Sequence, residues 1–159
     1  MTITSGEYTS TYNTQALGNT QDGWRMEVTG NRKGVTVDKF GDTEIDGVYR
    51  GLNVNFEAVL KDWDALGVND LWWPYHATMG TLGVIGRLDV VSSLALALVL
   101  TALSGTPAAT TGPASVTAAL SILDAEFART VNLNTEDRSI PVRLRVYPNT
   151  STGVMFAFT

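Results

Sequence analysis

Apolar and polar residues alternate most cleanly over residues 52–60. Leu52, Val54, Phe56, Ala58 and Leu60 fall on one side, and Asn53, Asn55 and Glu57 on the other. A sustained period of two marks a strand with one buried face. Trp24, Met26 and Val28 alternate in the same way with Arg25, Glu27 and Thr29, and predict a second strand. Residues 31–34 read as a turn, with Val35 and Val37 opening a further short strand and residues 41–47 forming an acidic loop. Near the end of the chain Ile140, Val142, Leu144 and Val146 alternate with Arg143 and Arg145. Pro141 places that strand at an edge or at its start, because proline cannot donate to a ladder. Residues 94–103 and 153–159 also predict strands, residues 116–126 fit both the strand and the helix period, and Phe127, Arg129, Val131 and Leu133 share one face of an extended run.

The connections carry less regularity. Residues 61–66 predict one short helical turn ended by Gly67, with Asp62 or Asn69 able to cap it. Leu71-Trp72-Trp73-Pro74-Tyr75 gathers aromatic side chains beside a proline that stops any regular element. Glycines 80, 83 and 86 mark an irregular connection, and residues 104–115 a Gly-, Thr-, Ala- and Pro-rich loop. The expected fold is mainly β, a β-sandwich or half-barrel with one short flanking helix. Residues 1–23 read as a polar N-terminal arm, and residues 24–159 as one β-rich domain.

Composition narrows the function classes. The chain has 159 residues, 44% of them hydrophobic and only 17% charged. Global disorder is excluded, since disordered chains are poor in apolar residues and rich in charge. Soluble monomers usually carry about a quarter charged residues, so the low content points to surface reserved for other subunits. The net charge of −5, with 11 Lys and Arg against 16 Asp and Glu, argues against a grip on nucleic acid, which needs clustered cations. With no cysteine there is no disulfide framework and no thiol chemistry. The apolar run at 94–103 is too short to cross a bilayer, which takes roughly 20 helical residues, and residues 1–21 lack the basic start and apolar run of a signal peptide.

No catalytic arrangement emerges. His76 is the single histidine and has no Gly-x-Ser-x-Gly elbow to serve. Asp42-Thr43-Glu44-Ile45-Asp46-Gly47 matches the front of a calcium loop, but the closing position falls on Asn53, where a bidentate Glu is required. It reads as an acidic turn. Gly80, Gly83 and Gly86 are spaced three apart, unlike a nucleotide loop. Asp62 and Asp64, two apart on a helical turn, do not face each other. Arg138, Arg143 and Arg145 form a small basic group, which a salt-bridged interface explains as well as phosphate contact would. The chain is therefore expected not to be an enzyme, and to use no cofactor or metal.

Several segments carry a family likeness. Gly18-Asn-Thr-Gln-Asp-Gly23 before an amphipathic strand, and Lys39-Phe-Gly-Asp-Thr-Glu-Ile-Asp-Gly-Val-Tyr-Arg-Gly51 before a long one, resemble the major tail (tail tube) proteins of long-tailed bacteriophages. Gly83-Val-Ile-Gly-Arg87, Leu94-Ala-Leu-Ala-Leu-Val-Leu-Thr101, Ser104-Gly-Thr-Pro-Ala-Ala-Thr110 and Ile140-Pro-Val-Arg-Leu-Arg-Val-Tyr147 are similar too. The resemblance implies a subunit that closes into hexameric rings, whose inner sheets join between subunits, and rings that stack into a tube conducting the genome. It implies as partners further copies of the chain, a tape-measure protein, tail terminator and baseplate or tip proteins, and a sheath protein if the tail is contractile. DNA would be non-specific cargo, and the location the virion tail, assembled in the host bacterial cytoplasm, with no membrane contact.

On that expectation Asn53, Asn55 and Glu57 line the channel, where a net negative charge keeps phosphates from sticking. Arg143, Arg145, Asp42, Asp46, Trp72 and Trp73 are the candidate contacts between subunits, and residues 1–23, 31–47 and 104–115 the segments that order on assembly. The alternative from another class is a non-enzymatic β-sandwich binding module of the virion, for capsid decoration or attachment. In it Trp72, Trp73 and Tyr75 form an exposed platform.

Overall fold

The structure is a computed structural model that describes residues 8–72, 91–128, 130 and 139–159. Eight strands make one antiparallel sheet: β1 (Tyr8–Tyr12), β2 (Gln15–Ala16), β3 (Thr20–Thr36), β4 (Glu44–Leu60), β5 (Leu96–Ala102), β6 (Ser115–Leu123), β7 (Ile140–Val146) and β8 (Ala157–Phe158). The order is β2-β1-β5-β6-β7-β4-β3, with β8 on β6. Two short helices, α1 (Leu66–Trp72) and α2 (Pro107–Thr111), complete a mainly β fold of the sandwich or half-barrel kind with a flanking helix.

The core follows from the alternation. Val54, Phe56, Ala58 and Leu60 of β4 and Ile140, Val142, Leu144 and Val146 of β7 are buried, and the two strands pair in register from Val54↔Val146 to Leu60↔Ile140. Residues paired across an antiparallel ladder share a face, so both apolar rows enter one core. Leu98 and Leu100 of β5, and Val116, Ala118 and Leu123 of β6, join the same cluster. The ambiguous 116–126 segment is a strand as far as Leu123. Phe127, placed by sequence on an extended run, instead closes a turn, its amide donating to the Asp124 carbonyl.

Residues 8–23 do not form an arm. Tyr12 and Leu17 are fully buried, and Tyr12 Oη donates to the Ser121 carbonyl at 2.8 Å. The two-residue loop Asn13-Thr14 has both φ angles positive, 51° and 65°, which is the twist a tight β1–β2 hairpin needs. The lone apolar residues here sit among Thr, Ser and Asn and show no periodicity, so their burial depends on distant partners.

The helix also falls later than its expected position at 61–66. Gly67 lies inside α1, and a Cβ there would come within 2.7 Å of the Gln15 carbonyl oxygen and 2.8 Å of that of Ala16. Gly67 is thus a packing glycine that seats α1 on β2, and the helix covers the edge β2 would otherwise expose. The expected turn at 31–34 is likewise absent. β3 runs straight through it, with Asn31 opposite Gly51, Arg32 opposite Tyr49 and Gly34 opposite Gly47. Arg32 and Glu44 form an ion pair across those glycines: a Cβ on Gly34 would strike the Glu44 side chain, and one on Gly47 the Arg32 side chain. The glycines make room for side chains.

Candidate assembly surfaces

Two surfaces of the β3–β4–β7 sheet carry side chains that the core does not use. The first is the polar face. Register places Arg25 opposite Glu57 and Glu57 opposite Arg143, then Glu27 opposite Asn55 and Asn55 opposite Arg145, with Thr29 opposite Asn53. Arg143 is the hub. Its Nε lies 3.5 Å from Glu57 Oε1 and 3.6 Å from Asp124 Oδ2. With its amide turned to satisfy both neighbours, Asn55 accepts from an Arg143 Nη at 3.0 Å and donates to the Val54 carbonyl at 3.3 Å. Arg143 Nε itself is closed off from solvent without a hydrogen bond, so the flanking carboxylates balance its charge at slightly longer range. A cleft of about 460 Å³ opens beside this network, with Glu27, Asn53, Glu126, Phe127 and Arg145 among its walls.

The second surface is the far half of the β3–β4 hairpin. β7 flanks β4 only from Val54 to Leu60. Residues 44–53 therefore have β3 on one side and, among the described residues, no strand on the other. At about 3.4 Å per residue the unflanked length is on the order of 30 Å. The hairpin tip turns through a single 3-10 turn at Asp38–Phe40. Tyr49 is 65% exposed, Phe40 55% and Val48 54%, and Val37, Ile45 and Leu52 are each more than a third exposed, as are Met26 and Val28, which lie opposite Phe56 and Val54 in the inner half. Lys39 Nζ stands 5.7 Å from the Phe40 ring centroid. Where β7 ends, an apolar groove of about 540 Å³ runs between Tyr49 and Leu52 of β4 and Pro148, Val154, Met155 and Phe156.

The candidate residues from sequence divide between these surfaces. Asn53, Asn55 and Glu57, expected to line a channel, share the polar face with Arg143 and Arg145, expected to contact other subunits. Arg143 already has partners within the chain, whereas Arg145 has no ion pair among the described residues. Asp42 sits in the exposed tip, and Asp46 on β4 is exposed, with Oδ1 accepting from the Gly47 amide at 2.7 Å. Glu44 and Asp46 thus lie on a strand rather than in a calcium-type loop. Trp72 closes α1. Trp73, Tyr75 and His76, the glycines at 80, 83 and 86, and Arg138 lie outside the described residues.

Sequence reading missed two things. Asp124 joins the Arg143 network only because the chain leaves β6 beside β7, which no local pattern announces. Val48 and Tyr49, the most exposed apolar pair, stood in plain view beside the acidic segment but were not singled out. Among the described residues no group of three or more His, Asp or Glu is placed to hold a metal, and no helix is long and apolar enough to cross a membrane. No protein-family model matches the chain, and comparison with curated proteins finds no match.

Proposed function

We propose that this chain is a structural subunit that assembles with copies of itself, and that its assembly is the tail tube of a long-tailed bacteriophage. The observation that carries the reading is the hairpin. Its eight exposed apolar side chains between Met26 and Leu52 leave on the order of 700 Å² in total, given about 150–250 Å² for a whole aromatic side chain and less for an aliphatic one, divided between the two faces of the hairpin because neighbours such as Val48 and Tyr49 point to opposite sides. A standard interface uses ~800 Å² from each partner. A hairpin with that much apolar surface is suited to being covered by a neighbour.

The polar face supplies the other half of the reading. It sits on the side of β4 opposite the core, and in the assembly it lines the channel through Asn53, Asn55 and Glu57. Arg25, Arg143 and Arg145 stand there against Glu27, Glu57, Asp124 and Glu126, so this wall is only weakly anionic. Most of the chain's −5 charge lies elsewhere. A wall on which four carboxylates face three arginines offers DNA no net cationic track, and the cargo passes without being held. The tape-measure protein occupies the same channel before the genome does, and terminator, tip and sheath proteins meet the ends and outside of the tube.

Negative-stain microscopy of the purified, concentrated protein tests this. Rings with a central hole, or hollow tubes, are the expected result. Uniform particles of single-subunit size would favour a monomeric binding module instead.

A further inference from the structure

The four methionines carry all of the chain's sulfur, because there is no cysteine. Met1 and Met79 lie outside the described residues. Met155 is partly buried against the core cluster, whereas Met26, on β3, is 37% exposed. Its surroundings set it apart from an ordinary surface residue. Met26 lies opposite Phe56 and Val28 opposite Val54, and both partners are buried core residues of β4. Residues paired across a ladder share a face. Met26 and Val28 therefore stand on the core side of the sheet, on its outermost strand, and each is still more than a third exposed.

The same face continues outward. Leu52 lies opposite Gly30, and a Cβ on Gly30 would come 3.9 Å from a Leu52 methyl, so that side chain leans over the glycine. Tyr49 is three residues from Leu52 and would fall on the other face of a regular strand. The register shift between Asn31 and Arg32 takes up an extra residue, Arg50, and sets Tyr49 opposite Arg32, on the core side as well. Gly51, at φ 120°, supplies the backbone conformation that this shift needs. Met26, Val28, Leu52 and Tyr49 thus form one apolar strip, whose outer members wall the groove together with Val154 and Phe156.

Of these four side chains Met26 alone carries a thioether, which a peroxide converts from apolar to polar. The sulfur attacks one peroxide oxygen; the S–O bond forms as the O–O bond breaks, sulfur gives up two electrons, and the other oxygen leaves as water with both hydrogens. The product is a polar, chiral sulfoxide, of the kind that disrupts apolar contact surfaces, and methionine sulfoxide reductases reverse it. We propose that Met26 is a redox-controlled modification site. Oxidation by hydrogen peroxide puts a sulfoxide on the strip and holds the subunit unassembled, and reduction releases it to assemble. The proposal rests on the self-assembly reading and adds a chemical regulation of the contact face. Assembly in turn covers the strip, so oxidation acts on free subunits and spares assembled ones.

Peptide mapping after timed exposure to hydrogen peroxide, paired with light scattering, tests it. In dilute protein Met26 is expected to oxidise before Met155, and to slow severalfold at concentrations where the protein assembles. The association constant falls about five- to tenfold while the urea-unfolding midpoint stays in place, and methionine sulfoxide reductases restore it. Met26→Leu keeps the apolar volume and removes the sulfur, so it assembles as the parent does and peroxide no longer weakens it. Met26→Gln, polar without any oxidant, assembles as weakly as the oxidised parent. Complete oxidation at Met26 with unchanged association would overturn the proposal, as would the same peroxide-induced loss in Met26→Leu. Equal losses of folding stability and association would overturn it too, since the sulfoxide would then act on the fold. Each of those results leaves self-assembly standing. An untreated parent that stays a single chain would overturn the self-assembly reading and the proposal with it.

Discussion

Gly67→Ala sets two effects of known sign against each other. In a helix interior alanine is favoured over glycine by about 1 kcal/mol, so propensity alone predicts a more stable protein. The structure predicts the opposite. The new Cβ would lie 2.7 Å and 2.8 Å from the carbonyl oxygens of Gln15 and Ala16, and 3.0 Å from a Leu17 methyl. Two of these are backbone atoms, which cannot rotate away, so α1 must lift from β2 by a few tenths of an ångström. Overpacking of this sort costs about 1–3 kcal/mol, and Gly67, the second residue of α1, gains less than a full interior propensity. The net is a loss of about 1–2 kcal/mol, or roughly 3–8 °C in Tm for a chain of this size. Gly30→Ala is the matched comparison: its Cβ meets only a Leu52 methyl at 3.9 Å, and reduced unfolded-state entropy stabilises it by about 0.4–1 kcal/mol. Urea unfolding of both variants and the parent decides the matter. If Gly67→Ala were as stable as the parent, α1 would not be seated on β2, and the explanation of how that sheet edge is covered would fail.

Removing exposed apolar surface from the hairpin separates folding from assembly. The Val48→Ser/Tyr49→Ser variant is expected to keep its unfolding free energy within about 0.5 kcal/mol of the parent, while its association constant falls at least tenfold. That follows from burying the exposed part of each side chain, about 1–2 kcal/mol apiece; an equal loss of both in denaturation and light-scattering assays would refute the division. Arg143→Met leaves Glu57 and Asp124 without their shared cation on a face where the three side chains are 30%, 28% and 14% exposed. A destabilisation of about 1 kcal/mol is expected, partly relieved by the second change Asp124→Asn; a double variant less stable than Arg143→Met would contradict the network.

The strands that could be read from sequence are those with one buried face and a local pattern. Residues 140–146 appear as a strand with the boundaries the alternation predicts, and 52–60 forms the inner half of β4. Trp24–Thr29 is a strand as its alternation predicts, but Met26 and Val28 stay exposed on it, and the strand continues through residues 31–34, which read as a turn. Glycine carries one signal for two causes. In Gly34 and Gly47 the cause was an ion pair lying across the ladder, and in Gly67 a helix pressed onto a strand. Tyr12 and Leu17 show the complementary failure, since isolated apolar residues in a polar stretch reveal nothing until β5, β6 and α1 surround them. The candidate site was half legible. That Asn55, Glu57, Arg143 and Arg145 each sit on the polar side of a strand follows from parity. That they sit on one shared face follows from the register between strands about 90 residues apart, which no local pattern contains.

Self-assembly is the central claim, and sedimentation velocity over a wide concentration range tests it most directly. The account predicts a mass above the single-chain 17.1 kDa that rises with concentration towards closed rings and stacks of them. A single boundary at 17.1 kDa at every concentration and salt would contradict it.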